Sequence, residues 1–186
     1  MSASACLVVC VRLPRFELVV AAGGAEALAG RAVAIAPTGG GAPLVGEVSG
    51  TAQAQGVRQG MALGEALARC PGLVLVPGDP VQVAQTWEAA CRALEGIGAL
   101  VEPARPGLAY FDAVGLGALH GDLYGVIATA RKTLARPARI GVGPTRFCSL
   151  AAALESRSRR ARVVDAREVR RYLAAQPVGL LEFREQ

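Results

Sequence analysis

At 186 residues the chain can bury one substantial core, or one core with a small lobe. Its 52% hydrophobic content is spread along the chain, and no run approaches the roughly 18 apolar residues of a membrane span, so a cytoplasmic location with no membrane partner is expected. The net charge of +5 is unevenly placed: residues 131–171 hold 12 basic and 3 acidic side chains, a net of +9 that exceeds the charge of the whole chain.

The elements follow in order. Ala5–Val11 reads as a buried strand. No basic segment precedes it, so no signal peptide is expected. Pro14 then opens a short amphipathic stretch to Ala22. Ala32–Ala36 and Leu44–Val48 flank Thr38-Gly39-Gly40-Gly41, which predicts a hairpin. The glycine run lacks the Gly-Lys-Ser/Thr ending of a phosphate loop, so it is read as a turn. Met61–Arg69 is a short helix stopped by Cys70-Pro71-Gly72, and Leu73–Val76 is a strand.

From Pro80 the pattern is regular. Pro80–Leu94 is helical, Leu100–Pro103 and Leu108–Asp112 are strands joined at Arg105-Pro106-Gly107, and Asp122–Leu134 is an amphipathic helix. Arg139–Val142, Thr145–Glu155 and Arg162–Val164 continue as strand, helix and strand, and Asp165 is read as the N-cap of a helix through Leu173. Elements mixed in this way predict an α/β (α+β) fold, a sheet covered by helices on one face.

Five cysteines without a Cys-x-x-Cys pair and a single histidine, His120, make no sensible zinc set, so no metal and no cofactor are expected. His120 is read as a surface loop residue, and Trp87 as a packing residue. The positive block suits a surface that neutralises phosphates, and charge alone is equally consistent with a solvated helix face.

Several segments in fixed order resemble the Y-family translesion polymerases (the UmuC domain). Gly56-Val57-Arg58-Gln59-Gly60-Met61 is similar to the family's fingers motif, Glu65-Ala66 with Arg69-Cys70-Pro71-Gly72 to the segment after it, and Ala109-Tyr110-Phe111-Asp112 to the end of the central palm strand. Ile140-Gly141-Val142-Gly143 resembles the strand before the last palm helix. The resemblance implies a polymerase-type palm at 1–16 and 75–164, a fingers insertion at 17–74, and the start of a thumb at 165–186. It also implies that the chain ends where thumb helices should continue, as a truncated or incomplete relative.

In this family, magnesium is held by two pairs of carboxylates, which activate the primer hydroxyl and neutralise developing charge. The matching positions are Cys10 and Arg12, and Gly107 and Leu108; none binds magnesium, and Asp112 matches a non-catalytic turn or capping position. The residues that grip the incoming nucleotide match Gly50 and Gln53. Glu102-Pro103-Ala104-Arg105-Pro106-Gly107-Leu108 resembles the ImuB-like branch, which lacks these acids.

The resemblance thus implies no enzyme but a pseudo-polymerase adaptor in translesion synthesis and damage-induced mutagenesis. Its partners would be damaged or primer-template DNA, a RecA-like accessory protein, an error-prone DNA polymerase and a sliding clamp, with the clamp-binding segment beyond this chain. Arg157, Arg159, Arg160 and Arg162 are the expected DNA contacts. An active polymerase with displaced metal ligands and an unrelated α/β domain remain the alternatives.

Overall fold

The computed structural model describes residues 7–157, 159–177 and 179–180. The chain forms β1 (Val8–Arg12), α1 (Phe16–Ala21), a 3-10 turn (Glu26–Leu28), β2 (Val33–Ile35), α2 (Gly50–Ala54), α3 (Leu63–Arg69), β3 (Val74–Val76) and α4 (Pro80–Glu95). It continues with β4 (Glu102–Arg105), β5 (Leu108–Asp112), α5 (Leu116–His120), α6 (Leu123–Leu134), β6 (Arg139–Gly143), α7 (Arg146–Glu155), β7 (Arg162–Val163) and α8 (Val169–Ala174). None of the described helices is long and apolar enough to cross a membrane. Two compact units result, one comprising the stretches up to Pro14 and from Glu88 onward, the other Arg15–Trp87.

The first unit is built on a five-stranded sheet in the order β4-β5-β1-β6-β7. β1 lies in its centre, antiparallel to both neighbours, with Cys10 opposite Tyr110 on β5 and Gly141 on β6. The unbroken apolar run Val8–Val11 suits this place, because a strand covered on both faces has no polar side to present. One face carries Cys10, Leu108 and Tyr110, packed against Leu150 and Ala153 of α7. On the opposite face Val9, Val11, Phe111, Ile140 and Val142 are also buried. The sheet is therefore covered on both faces, where helices on one face were expected.

α7 lies unusually close because its buried residues are small and the strand below offers glycine. A Cβ on Gly141 would sit 2.1 Å from the Ala153 nitrogen and 2.2 Å from the Ser149 carbonyl oxygen. Thr145 starts the helix by accepting the Cys148 N–H at 3.2 Å, and Asp122 does the same for α6, accepting Gly125 N–H at 2.7 Å.

The second unit holds a two-stranded parallel sheet of β2 and β3. Its core includes Ala34, Val45, Val57, Ala66 and Cys70, and Phe16 meets Trp87 edge-on with ring centroids 5.5 Å apart. The predicted hairpin forms in part: Ala34 bridges Val48 antiparallel, with Ile35 N–H donating to the Glu47 carbonyl oxygen and Ser49 N–H to that of Val33, while Leu44 and Val45 pair instead with Ala62 and Met61. Residues 50–54, unassigned in the sequence, form α2, capped by Ser49. His120 ends α5, a short helix, and is half-buried with Nε2 2.8 Å from the Ile97 carbonyl oxygen, where a surface loop was expected. Asp165 accepts Arg167 N–H at 2.8 Å and so shapes a turn ahead of α8, whose N-cap is Glu168.

Candidate functional site

Three regions carry the residues singled out in the sequence. On the α7 face of the first unit, Cys10 and Leu108 join the apolar cluster described above and are 0% and 6% exposed. Gly107 forms the turn into β5 with a φ of 78°, and its carbonyl oxygen accepts the Leu13 N–H at 2.8 Å. Arg12 ends β1 and is half-buried.

Burial pushes the Cys10 thiol up to about 12, against the opposing pull of the Arg12 charge and a hydrogen bond from Tyr110. The Tyr110 phenol is raised as well, first by burial and then by Cys10. Arg146 lies over the Tyr110 ring, 5.6 Å from its centroid, and is ion-paired to Glu102. Asp112 accepts the Val114 N–H at 2.8 Å, the turn role that the sequence suggested. Among the described residues no three His, Cys, Asp or Glu side chains come together as a metal set.

The second region surrounds α2. Gly50 and Gln53 lie on this helix, and a residue the sequence reading passed over joins them. Arg15 adopts the left-handed conformation, φ 52° and ψ 44°, and its guanidinium reaches α2. Nε donates to the Val48 carbonyl oxygen and Nη2 to Gln53 Oε1, both at 2.9 Å. Nη2 also lies 3.7 Å from where a Gly50 Cβ would stand, so a guanidinium occupies the surface of both matched positions. The one visible signal was an arginine directly after Pro14; its pairing with a residue 38 positions later was not visible.

The third region is the basic segment, whose cations fall into two groups. Some are engaged: Arg139 donates to the Leu154 carbonyl oxygen at 3.1 Å, and Arg131 to that of Arg159 at 3.3 Å. Arg162 belongs with these, its Nε 4.0 Å from Glu155 Oε2 and its guanidinium over the Tyr172 ring. Glu155 also accepts Tyr172 Oη–H at 2.9 Å and Gln176 Nε2–H at 2.7 Å, and these three residues help line an open cleft of about 340 Å³. Burial and the Glu155 carboxylate hold the Tyr172 phenol well above its ordinary range.

Arg146 and Arg171 are paired as well, with Glu102 and Glu168, whereas Arg157, Arg159 and Arg160 are open. Arg157 and Arg160 exchange backbone hydrogen bonds, N to O, at 3.2 and 3.0 Å, so the chain reverses there in four residues. The side chains of Arg157, Arg159 and Arg160 are exposed and have no ion pair among the described residues. The structure thus keeps three of the four expected arginines together on one turn and turns Arg162, also exposed, toward Glu155 and Tyr172.

Solved structures share this fold. The chain aligns with DinB from Sulfolobus solfataricus at a TM-score of 0.79, with the Y-family DNA polymerase chimera Dbh-Dpo4(243-245)-Dbh at 0.77, and with a post-insertion binary complex of Dbh DNA polymerase at 0.73. Identity is 20% in each case, and the alignments cover 94% of this chain and 52–53% of theirs, so the chain spans about half their length. No curated protein matches the sequence significantly.

These likenesses correct one expectation. The inference that the chain is not an enzyme, drawn from Cys10, Arg12, Gly107 and Leu108, is overturned, because the structures with its fold are DNA polymerases. The alternative of an unrelated α/β domain falls too: the impB/mucB/samB family profile matches residues 13–153, three quarters of the sequence. The chain belongs to the impB/mucB/samB family of UmuC-type, Y-family polymerase-like proteins.

Proposed function

We propose that this chain is the DNA-engaging palm and fingers part of a translesion-synthesis protein, and that Arg157, Arg159 and Arg160 meet the sugar-phosphate backbone of primer-template DNA. The observation that carries this reading is the turn itself, on which three exposed guanidinium groups lie within four residues with no ion pair among the described residues. Guanidinium groups in such proximity gather phosphate oxygens through charge-assisted hydrogen bonds, and such contacts position a protein on DNA without reading its sequence.

The division into palm (1–16 and 75–164), fingers (17–74) and thumb start (165–186) is part of the same reading, as is a cytoplasmic location. The resemblance of the segment from Glu102 to Leu108 to the ImuB-like branch supports a place in damage-induced mutagenesis. A RecA-like accessory protein, an error-prone DNA polymerase and a sliding clamp are the partners that follow from it.

The test is fluorescence anisotropy on labelled primer-template DNA across a salt series. Affinity should fall steeply with salt and vary little with sequence, each lost phosphate contact flattening the log-log slope by about 0.7 to 0.9. Replacing Arg159 and Arg160 by Ala should flatten it by up to about two such steps. An unchanged slope in the double variant would return the segment to a solvated surface.

A further inference from the structure

Arg131 differs from every other cation of the basic segment. It lies in the last turn of α6, where Nη1 donates to the Arg159 carbonyl oxygen at 3.3 Å. Its Nε and Nη2 are shut off from solvent and have no hydrogen-bond partner among the described residues. Burial also draws the guanidinium pKa below its ordinary value. Buried donors without acceptors cost stability, and an apolar side chain of similar length would fill the same space without that cost. Stability is therefore a poor reason for an arginine here.

The one side-chain hydrogen bond that Arg131 makes among the described residues reaches Arg159 in the Arg157–Arg160 turn. We infer that Arg131 is a positioning residue for phosphate binding: it holds the turn by the Arg159 carbonyl, so that Arg157, Arg159 and Arg160 meet a DNA backbone already ordered. This deepens the DNA-binding reading above and rests on it. Arg131 does not itself contact phosphate, since two of its three nitrogens are inaccessible. Its effect is to spare binding the cost of ordering the backbone that carries these rotamer-rich arginine side chains.

The experiment compares the full chain, Arg131→Met, Arg159→Ala/Arg160→Ala and the triple variant on labelled primer-template DNA over a salt series, with thermal melts of each. Arg131→Met should weaken binding by about threefold to tenfold at any one salt concentration, the loss expected when a turn must be ordered on binding. Its salt slope should be that of the wild type, and its melting temperature equal or higher. In the Arg159→Ala/Arg160→Ala background, where only Arg157 is left to benefit from the held turn, Arg131→Met should have a clearly smaller effect. Arg131→Lys keeps a donor for the carbonyl and should bind within about twofold of wild type, which gives a second reading if the Met variant folds poorly.

A slope flattened by about 0.7 to 0.9 in Arg131→Met would show direct phosphate contact and overturn the inference. So would an undiminished effect in the double-variant background, or no effect at all. If Arg159→Ala/Arg160→Ala leaves the slope unchanged, the DNA reading itself fails, and this inference falls with it.

Discussion

Arg15 Nη2 donates to Gln53 Oε1 at 2.9 Å, joining the residue that precedes α1 to the middle of α2. The bond is made from a left-handed backbone, φ 52°, which costs a non-glycine residue about 1–2 kcal/mol. Two hydrogen bonds from the charged guanidinium offset that strain.

Arg15→Ala keeps the strain and loses both bonds, and should lower stability by about 1–3 kcal/mol in urea unfolding. Arg15→Gly loses the same bonds but relieves the backbone, so it should be the more stable of the two by about 0.5–1 kcal/mol, after allowing for the entropy of glycine in the unfolded chain. Equal losses would show that the left-handed conformation carries no strain.

Gly141 should tolerate no side chain. Its Cβ would meet three backbone atoms of α7 at 2.1 to 2.6 Å, and backbone cannot rotate away as a side-chain tip can. Gly141→Ala should cost more than about 4 kcal/mol or abolish soluble expression, measured by yield and thermal melt. Gly64→Ala has nothing within 4 Å, sits inside α3, and should be neutral or slightly stabilising.

Cys10 should be silent toward thiol reagents in the native state. It is 0% exposed, and burial raises its thiol from 9.0 to about 12, whereas Cys91 is half-buried. At pH 8, peptide mapping after brief alkylation should find Cys91 modified well before Cys10. The folded thiol has the higher pKa, so it holds its proton where the unfolded one has lost it. Its contribution to stability is complete below pH 9 and disappears between about pH 9 and pH 12. Unfolding free energy should fall across that window less steeply in Cys10→Ala than in wild type.

Glu155 ties α8 to the end of α7 through Tyr172 and Gln176. Glu155→Ala removes both acceptors at once and leaves Arg162 without its carboxylate. Hydrogen exchange should speed up in Val169–Ala174, by the loss of about 1–2 kcal/mol of local protection, while the amides of β1 and β6 stay unchanged. Unchanged exchange in α8 would show that the helix is held by packing alone.

The sequence alone determined where most elements lie and which family they compose. Helical periodicity placed α4, α6 and α7 closely because it repeats over ten or more residues, and short apolar runs bounded by turn residues marked β5 and β6. The short motifs from Gly56 to Ile140 carried the resemblance in order. Asp112 and Trp87 were legible because a turn carboxylate and a lone large aromatic each have one dominant local use. What the chain brings together across long separations was decided only by the tertiary structure. α2 escaped notice because five residues are too few to show a period, and the hairpin at Leu44–Val48 is only partial because Met61 and Ala62, far along the sequence, pair with Leu44 and Val45. Likewise, four arginines within six residues look alike as letters, yet Arg162 is taken up by Glu155 and Tyr172 while Arg157, Arg159 and Arg160 remain open. Charge is a property of the residue, but whether a charge is available depends on which acid the fold carries to within about 4 Å of it, and that distance is set by packing.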